Sequence, residues 1–230
     1  MSIASSKDAQ LSLSYSLRFP VSLAVIAGYV DACTFLAFAG FFVAQATGSF
    51  VVAGSELLNP NEAYAFKVLA IPVFILAGII TTAIVRVSTA RLALTLTLCI
   101  EAVLLIGLDI SGLLGEHGAI SAAPALFGLA AMGVQSAAVR LLLSNYGSTN
   151  VMTTNTTQLS IEIVDSLRGG KATPKLLQTG AIMLGFLGGV VLGGFAYRAF
   201  GLAGLALPIV VLMVLALASG FKPREQASMI

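Results

Sequence analysis

The chain reads as long apolar runs separated by short polar breaks. Six runs, at 19–40, 66–86, 91–112, 119–143, 175–197 and 201–220, carry few charges and show no alternation or amphipathic stripe. A helix needs about 20 such residues to cross ~30 Å of hydrocarbon, so each run predicts one membrane-spanning helix. The breaks carry turn chemistry. They are Asn59-Pro60-Asn61-Glu62, Gly115-Glu116-His117-Gly118, Gly169-Gly170-Lys171 with Pro174, and Phe221-Lys222-Pro223-Arg224.

Two stretches fit neither pattern. Residues 41–58 read FFVAQATGSFVVAGSELL, and residues 144–167 read SNYGSTNVMTTNTTQLSIEIVDSL. Charge placement bears on whether they cross. With six crossings and both termini inside, ten of the twelve Lys and Arg residues face the cytoplasm, and only Lys67 and Arg198 face out. If both stretches crossed, the split would fall to eight against four. Six crossings are therefore expected, and each short stretch enters the membrane and returns on the same side. An extended piece 41–46 reaches roughly 20 Å, and a helix over 49–58 climbs back about 15 Å. In the second stretch Asn155 and Gln158 have capping-box spacing, with Asn155 as the N-cap. A short amphipathic helix over 159–167 follows, with Glu162 and Asp165 on its polar face.

The two halves echo each other. Gly28-Tyr-Val-Asp31-Ala matches Gly133-Val-Gln135-Ser136-Ala. Thr47-Gly48-Ser49 matches Thr154-Asn155-Thr156. Phe74 through Gly78, with Arg86, matches Phe186 through Gly189, with Arg198. Three crossings per half turn the second half upside down. The expected fold is an all-α integral membrane protein: six transmembrane helices as two inverted three-helix repeats, each with a re-entrant half-helix. Its parts are a polar segment 1–18, a first repeat 19–112, a loop 113–118, a second repeat 119–220 and a tail 221–230. Inverted repeats with broken helices are the architecture of secondary transporters.

The same residues resemble a known family. Gly28-x-x-Asp31-Ala, Phe35, Gly40-x-Phe42-x-Ala44 and Thr47-Gly48 are similar to the YoaK-type bacterial membrane proteins of unknown function, as are Gly133-x-Gln135-x-Ala137-x-x-Arg140 and the Thr-rich stretch after it. The resemblance covers nearly the whole chain. It implies six spans in a bacterial inner membrane and no known substrate. This chain has Thr47-Gly48-Ser49 where the family usually has Thr-Gly-Asn, and Thr154-Asn155-Thr156 where the family usually has Thr-Gly-Thr, so no substrate preference is carried over.

Composition agrees with the membrane reading. The chain is 58% hydrophobic and 10% charged, with a mean hydropathy of +1.00. The net charge of +2 gives no case for nucleic acid. Cys33 and Cys99 read as small core residues, and the single His117 leaves no histidine metal cluster. Residues 1–18 are polar and carry no cleavable signal pattern, so the first run is expected to stay as a span. Residues Gly185, Gly188, Gly189, Gly193 and Gly194 read as close-packing positions. The Asn155-Thr156-Thr157 sequon is set aside for an inward-facing bacterial loop.

The candidate chemistry is sparse. Half-helix tips at Thr47-Gly48-Ser49 and Thr154-Asn155-Thr156 would aim unpaired N–H groups at a shared site for an anion or a polar solute. Asp31 lies at mid-depth, where an acid is a functional candidate: it carries a proton, binds a cation or pairs with Arg140, or it serves as a structural ion pair. Glu101 lies in an apolar span, where burial favours the neutral acid, and is the second proton-carrier candidate. Arg140 either snorkels or contacts an anion. Gln45 and Gln135 either line the cavity or join helices. No cofactor, no metal and no catalytic constellation is expected. The leading function is a small secondary transporter of a small polar or anionic solute, with proton coupling through Asp31 or Glu101, and a homodimer is a reasonable expectation. A fixed-pore channel and a non-transporting membrane scaffold or regulatory partner are the alternatives, and the plain alternative for 144–167 is a surface loop.

Overall fold

The structure is a computed structural model. It describes residues 15–38, 40–45, 48, 51, 54, 64–114 and 122–220. The elements are α1 (Arg18–Ala37), α2 (Tyr64–Val87), α3 (Ala90–Leu114), α4 (Ala122–Leu142), α5 (Met152–Gly169), α6 (Pro174–Phe200), a 3₁₀ segment (Gly201–Leu205) and α7 (Ala206–Gly220). No strand occurs among the described residues. The turns at 59–62 and 115–118 (with His117), the tail from 221, and Thr47 and Ser49 lie outside the described residues.

The exterior is apolar, unlike that of a water-soluble protein. Ile75, Leu76, Ile79 and Ile80 on α2, Leu184, Leu187 and Phe195 on α6, and Val210, Val214 and Leu217 on α7 are exposed. Asp31, Thr34, Thr97, Glu101, Gln135, Thr149, Asn150 and Asn155 are buried. An apolar exterior, with polar side chains drawn into a largely apolar core, is what a bilayer solvent selects, since lipid accepts no hydrogen bonds from the backbone or side chains.

Five segments are long and apolar enough to cross a membrane: Arg18–Ala37, Val68–Val87, Ala90–Leu114, Ala123–Leu142 and Pro174–Gly220. The sequence predicts six runs; the fifth segment, of 47 residues, holds the last two. It is broken by the 3₁₀ segment, and its two parts run in opposite directions. Gly185 packs on Val21, Gly189 on Val25 and Gly193 on Tyr29, so α6 runs parallel to α1. The Tyr29 hydroxyl then donates to the Gly204 carbonyl (2.7 Å), and the Tyr15 hydroxyl to the Ser219 carbonyl (3.4 Å), so α7 runs back antiparallel to α1. At ~2.0 Å per 3₁₀ residue and 1.5 Å per α residue, residues 201–220 span roughly 32 Å, enough for a crossing.

The remaining directions follow from contacts. Thr95 meets Ser219 and Gly112 meets Leu202, so α3 and α7 are antiparallel. Gly133 packs on Phe74 and Ala77, while Ala137, Arg140 and Leu141 share a groove with Gly78, Thr82 and Arg86; α2 and α4 are parallel. The helices α1, α2, α3, α4, α6 and α7 thus alternate in direction. α1 therefore ends, and α2 begins, on one face of the bundle, and α4 ends, and α6 begins, on the other. The start of α1 and the end of α7 lie on one face, together with Tyr146, whose hydroxyl also donates to the Tyr15 carbonyl.

Small residues set the tightest seam. A Cβ on Gly28 would stand 2.1 Å from the Phe186 carbonyl oxygen, and one on Gly189 2.1 Å from that of Val25. The backbones of α1 and α6 touch, which is how helices gain packing energy in lipid. Gly185, Gly189 and Gly193 fulfil the expected packing role. Gly188 and Gly194 face open space, each one residue, or about 100°, off the stripe.

Candidate solute cavity

After each of two helices the chain doubles back beside the helix it has just left. Gly40, at φ +90°, takes a conformation that side-chain-bearing residues rarely adopt, and turns the chain at the end of α1. Val43 and Ala44 then donate their backbone N–H groups to Asp31 Oδ1, at 2.9 Å each, and Gln45 Nε2 donates to Asp31 Oδ2 at 3.3 Å. Asp31 lies six residues before the end of α1, so the chain has returned about 9 Å. Asp31 is therefore a clasp for backbone that has no ladder of its own. The hydrogen-bond partners of its carboxylate are these three groups, and of the alternatives for Asp31 the pair with Arg140 does not form among the described residues.

The second turn-back follows α4. The Gln135 amide donates to the Leu23 carbonyl and to the Thr149 hydroxyl, at 3.0 Å each. The Asn150 amide donates to the Ser136 hydroxyl. Thr149 and Asn150 thus lie level with Gln135 and Ser136, about 10 Å back from the end of α4. The repeat match put Ser136 opposite Asp31, and both side chains hold a returning segment.

From that point α5 descends. It starts at Met152, not after Asn155. Its N-cap, Val151, has no side-chain hydrogen bond, and the capping box of Asn155 and Gln158 does not form. Asn155 sits inside the helix and donates to the Ser148 carbonyl, while Gln158 donates to Glu162 Oε1 at 2.7 Å. The spacing was right and the position wrong, because the Ser148 hydroxyl, accepting from the Val151 N–H at 2.9 Å, already shapes the entry. Glu162 is not on an open polar face either: it is buried against α6. It accepts from the Thr173 hydroxyl at 2.6 Å, and Lys175 Nζ lies 3.9 Å from it. The Thr173 hydrogen bond, followed by Gln158 and the Lys175 charge, outweighs desolvation and lowers the Glu162 pKa from 4.5.

A cavity of about 1050 Å³ lies between the end of α4, the returning segment, the first turns of α5 and the start of α6. Ser136, Arg140, Ser148, Asn150, Thr154, Asn155, Gln158, Lys175, Gln178 and Thr179 line it, and among the described residues no Asp or Glu does. Of the sequence candidates it gathers Arg140, Thr154 and Asn155. Gln135 stands behind the wall, bonded to Thr149. Thr156 is exposed and bonds its own helix at the Met152 carbonyl. Asp31 and Gln45 belong to the other turn-back. Gly48 is helical and half-buried. On α1, Leu23, level with Gln135, is eight residues from Asp31, so the two turn-backs are separated by about 12 Å of depth. They do not share one site among the described residues. Glu101 is fully buried in α3, away from the cavity lining.

Sequence reasoning missed Ser148, Lys175, Gln178 and Thr179. The signal for the last two was present: a Gln-Thr pair one turn into an apolar run.

With the arrangement in view, comparison with known proteins places the chain. The family described as Protein of unknown function (DUF1275) matches residues 19–218. The chain belongs to this DUF1275 family. No curated protein and no solved structure matches it. The family match runs from the start of α1 nearly to the end of α7, so it takes in both turn-backs and the cavity.

Proposed function

We propose that this DUF1275 member is a small secondary transporter for a small polar or anionic solute, bound in the cavity beside the first turn of α5. The observation that carries this reading is that cavity: hydroxyls, amides, Arg140 and Lys175 at the uncapped start of a helix, with no acidic side chain in the lining. Uncapped N–H groups and the positive helix end favour an anion there.

The inverted-repeat interpretation has support of its own. Gly28 packs on the carbonyl of Phe186, and Gly133 packs on that of Phe74. The sequence match pairs Gly28 with Gly133 and Phe74 with Phe186, so each half offers the same contact to the other. The matched helices α3 and α7 run antiparallel, as an in-plane two-fold requires. On this reading the two turn-backs are re-entrant segments from opposite faces. The cavity is open beside one, and the Asp31 clasp closes the other.

The face bearing the cavity also bears Arg18, Arg86, Arg91, Arg140, Arg168, Lys171 and Lys175 at helix ends, whereas Lys67 and Arg198 lie at opposite ends. On the positive-inside rule this distribution favours a cytoplasmic cavity face, with the start of α1 and the end of α7 on that side; a bacterial inner membrane, with both termini inside, is the location we propose.

The test is uptake and counterflow in proteoliposomes, screened with small organic and inorganic anions and neutral polar solutes. Saturable uptake with counterflow, reduced at least tenfold in Arg140→Gln or Asn155→Ala, is the expected result. Non-saturating flux would favour a channel. Absence of flux for every solute, with no thermal shift on adding any of them, would sink transport.

A further inference from the structure

The bundle contains a buried acid that the cavity does not use. Both carboxyl oxygens of Glu101 are buried and have no hydrogen-bond partner, and neither has Gln135 Oε1. Buried acceptors without donors require an explanation. Helical spacing puts these groups together. On the antiparallel pair α3 and α4, Gly128 packs directly on Leu108, and Gly107 on Phe127. Glu101 lies seven residues before Leu108, and Gln135 seven after Gly128. Seven residues are two turns, so both fall on the facing sides of the two helices, at one level. The orientation of the Gln135 amide is fixed, because the Leu23 carbonyl can only accept. Its NH₂ faces Leu23 and Thr149, and Oε1 is left on the other side of the amide.

Among the described residues the charged groups on the elements packed against α3 lie away from Glu101, and Cys99, two residues before it on α3, points some 200° round the helix from it. On α4 the charged residue is Arg140, in the last turn. Among the described residues α7 and the 3₁₀ segment have none, and on α2 Arg86 and Lys67 lie near the ends. On α3 itself, Arg91 and Asp109 are two turns or more away.

We propose that Glu101 and Gln135 hold one exchangeable proton at mid-depth, with the Glu101 O–H donating to Gln135 Oε1. One proton satisfies both orphaned groups. It also sets the returning segment, and this part rests on the transporter reading. A carboxylate can only accept. When Glu101 gives its proton to water, Gln135 must turn its NH₂ toward α3, which breaks its bond to the Leu23 carbonyl and reverses the one to Thr149, whose hydroxyl must now donate to Oε1. Thr149 is the neighbour of Asn150, which lines the cavity. Proton loss on α3 therefore cuts the tie between α1 and α4 and loosens the hold on the segment that shapes the solute site, and this links one proton to the solute cycle.

The first experiment is infrared spectroscopy of the purified protein at neutral pH. The expected result is a protonated-carboxyl C=O band that is lost in Glu101→Gln and shifted in Gln135→Leu. The second is amide hydrogen exchange over 145–151, corrected for intrinsic rates. Wild type should lose protection from neutral to alkaline pH. Glu101→Gln, whose amide donates permanently to Gln135 Oε1, should not. An absent band, a band indifferent to Gln135→Leu, or equal loss of protection in both proteins would overturn the proposal. So would protection that follows sodium at fixed pH, which would indicate a metal cation instead. If the band and the exchange behave as expected but no solute is transported, the proton site stands and the transporter reading falls.

Discussion

At the scale of residues, Asp31 is the clearest case of a side chain whose type was legible and whose job was not. An acid at mid-depth in an apolar run stands out in any reading. That it accepts from Val43 and Ala44 depends on where the chain returns, which no local pattern encodes. Asp31→Ala would leave two buried N–H groups unsatisfied, at about 1–3 kcal/mol each. Asp31→Asn keeps an oxygen acceptor and should cost less. Thermal unfolding in detergent reads both, and equal losses would count against the clasp. Glu162 makes a pH prediction. Its folded pKa lies below 4.5, chiefly through the Thr173 hydroxyl. Its contribution is therefore complete above the ordinary value and is lost as pH falls through the lower, folded one. Thr173→Val should flatten that acid limb of the stability curve while leaving stability at neutral pH less dependent on Glu162.

At the scale of elements, the α1–α6 seam gives the sharpest expectation. A methyl on Gly189 has nowhere to go but into the Val25 carbonyl, whereas Gly188 faces open space. Gly189→Ala should destabilise by roughly 1–3 kcal/mol or more, as overpacked contacts do. Gly188→Ala should be neutral within about 0.5 kcal/mol. A melting comparison of the two in one detergent decides it, and matched values would remove the seam from the account. The start of α5 shows the limit of motif spacing. Asn155 and Gln158 carry the right residues three apart, but a capping box also needs the helix to begin there. The Ser148 hydroxyl and the buried Thr149–Asn150 contacts fix the start three residues earlier.

At the scale of the whole molecule, the alternation of helix directions is testable without knowing any solute. Lys171→Cys should react with an impermeant maleimide only in inside-out vesicles, and Arg198→Cys only in intact cells or right-side-out vesicles. The reverse pattern would invert the assignment of faces and put the cavity outside. The cavity itself is a whole-molecule property. It borrows Arg140 from α4, Thr154 and Asn155 from α5, and Lys175 and Gln178 from α6. An anion bound there should be lost on Arg140→Gln with folding intact, which thermal shift and circular dichroism separate.

The sequence by itself determined the apolar solvent and the approximate bounds of the long helices. Those follow from hydropathy, which is additive along the chain. Tertiary structure decided the rest. It put the two turn-backs about 12 Å apart in depth, built a cavity beside the second, and set Glu101 and Gln135 at one level. These depend on helix register and on where a returning segment finds its hydrogen-bond partners. Contacts between residues a hundred positions apart fix both, and periodicity along one helix does not record them.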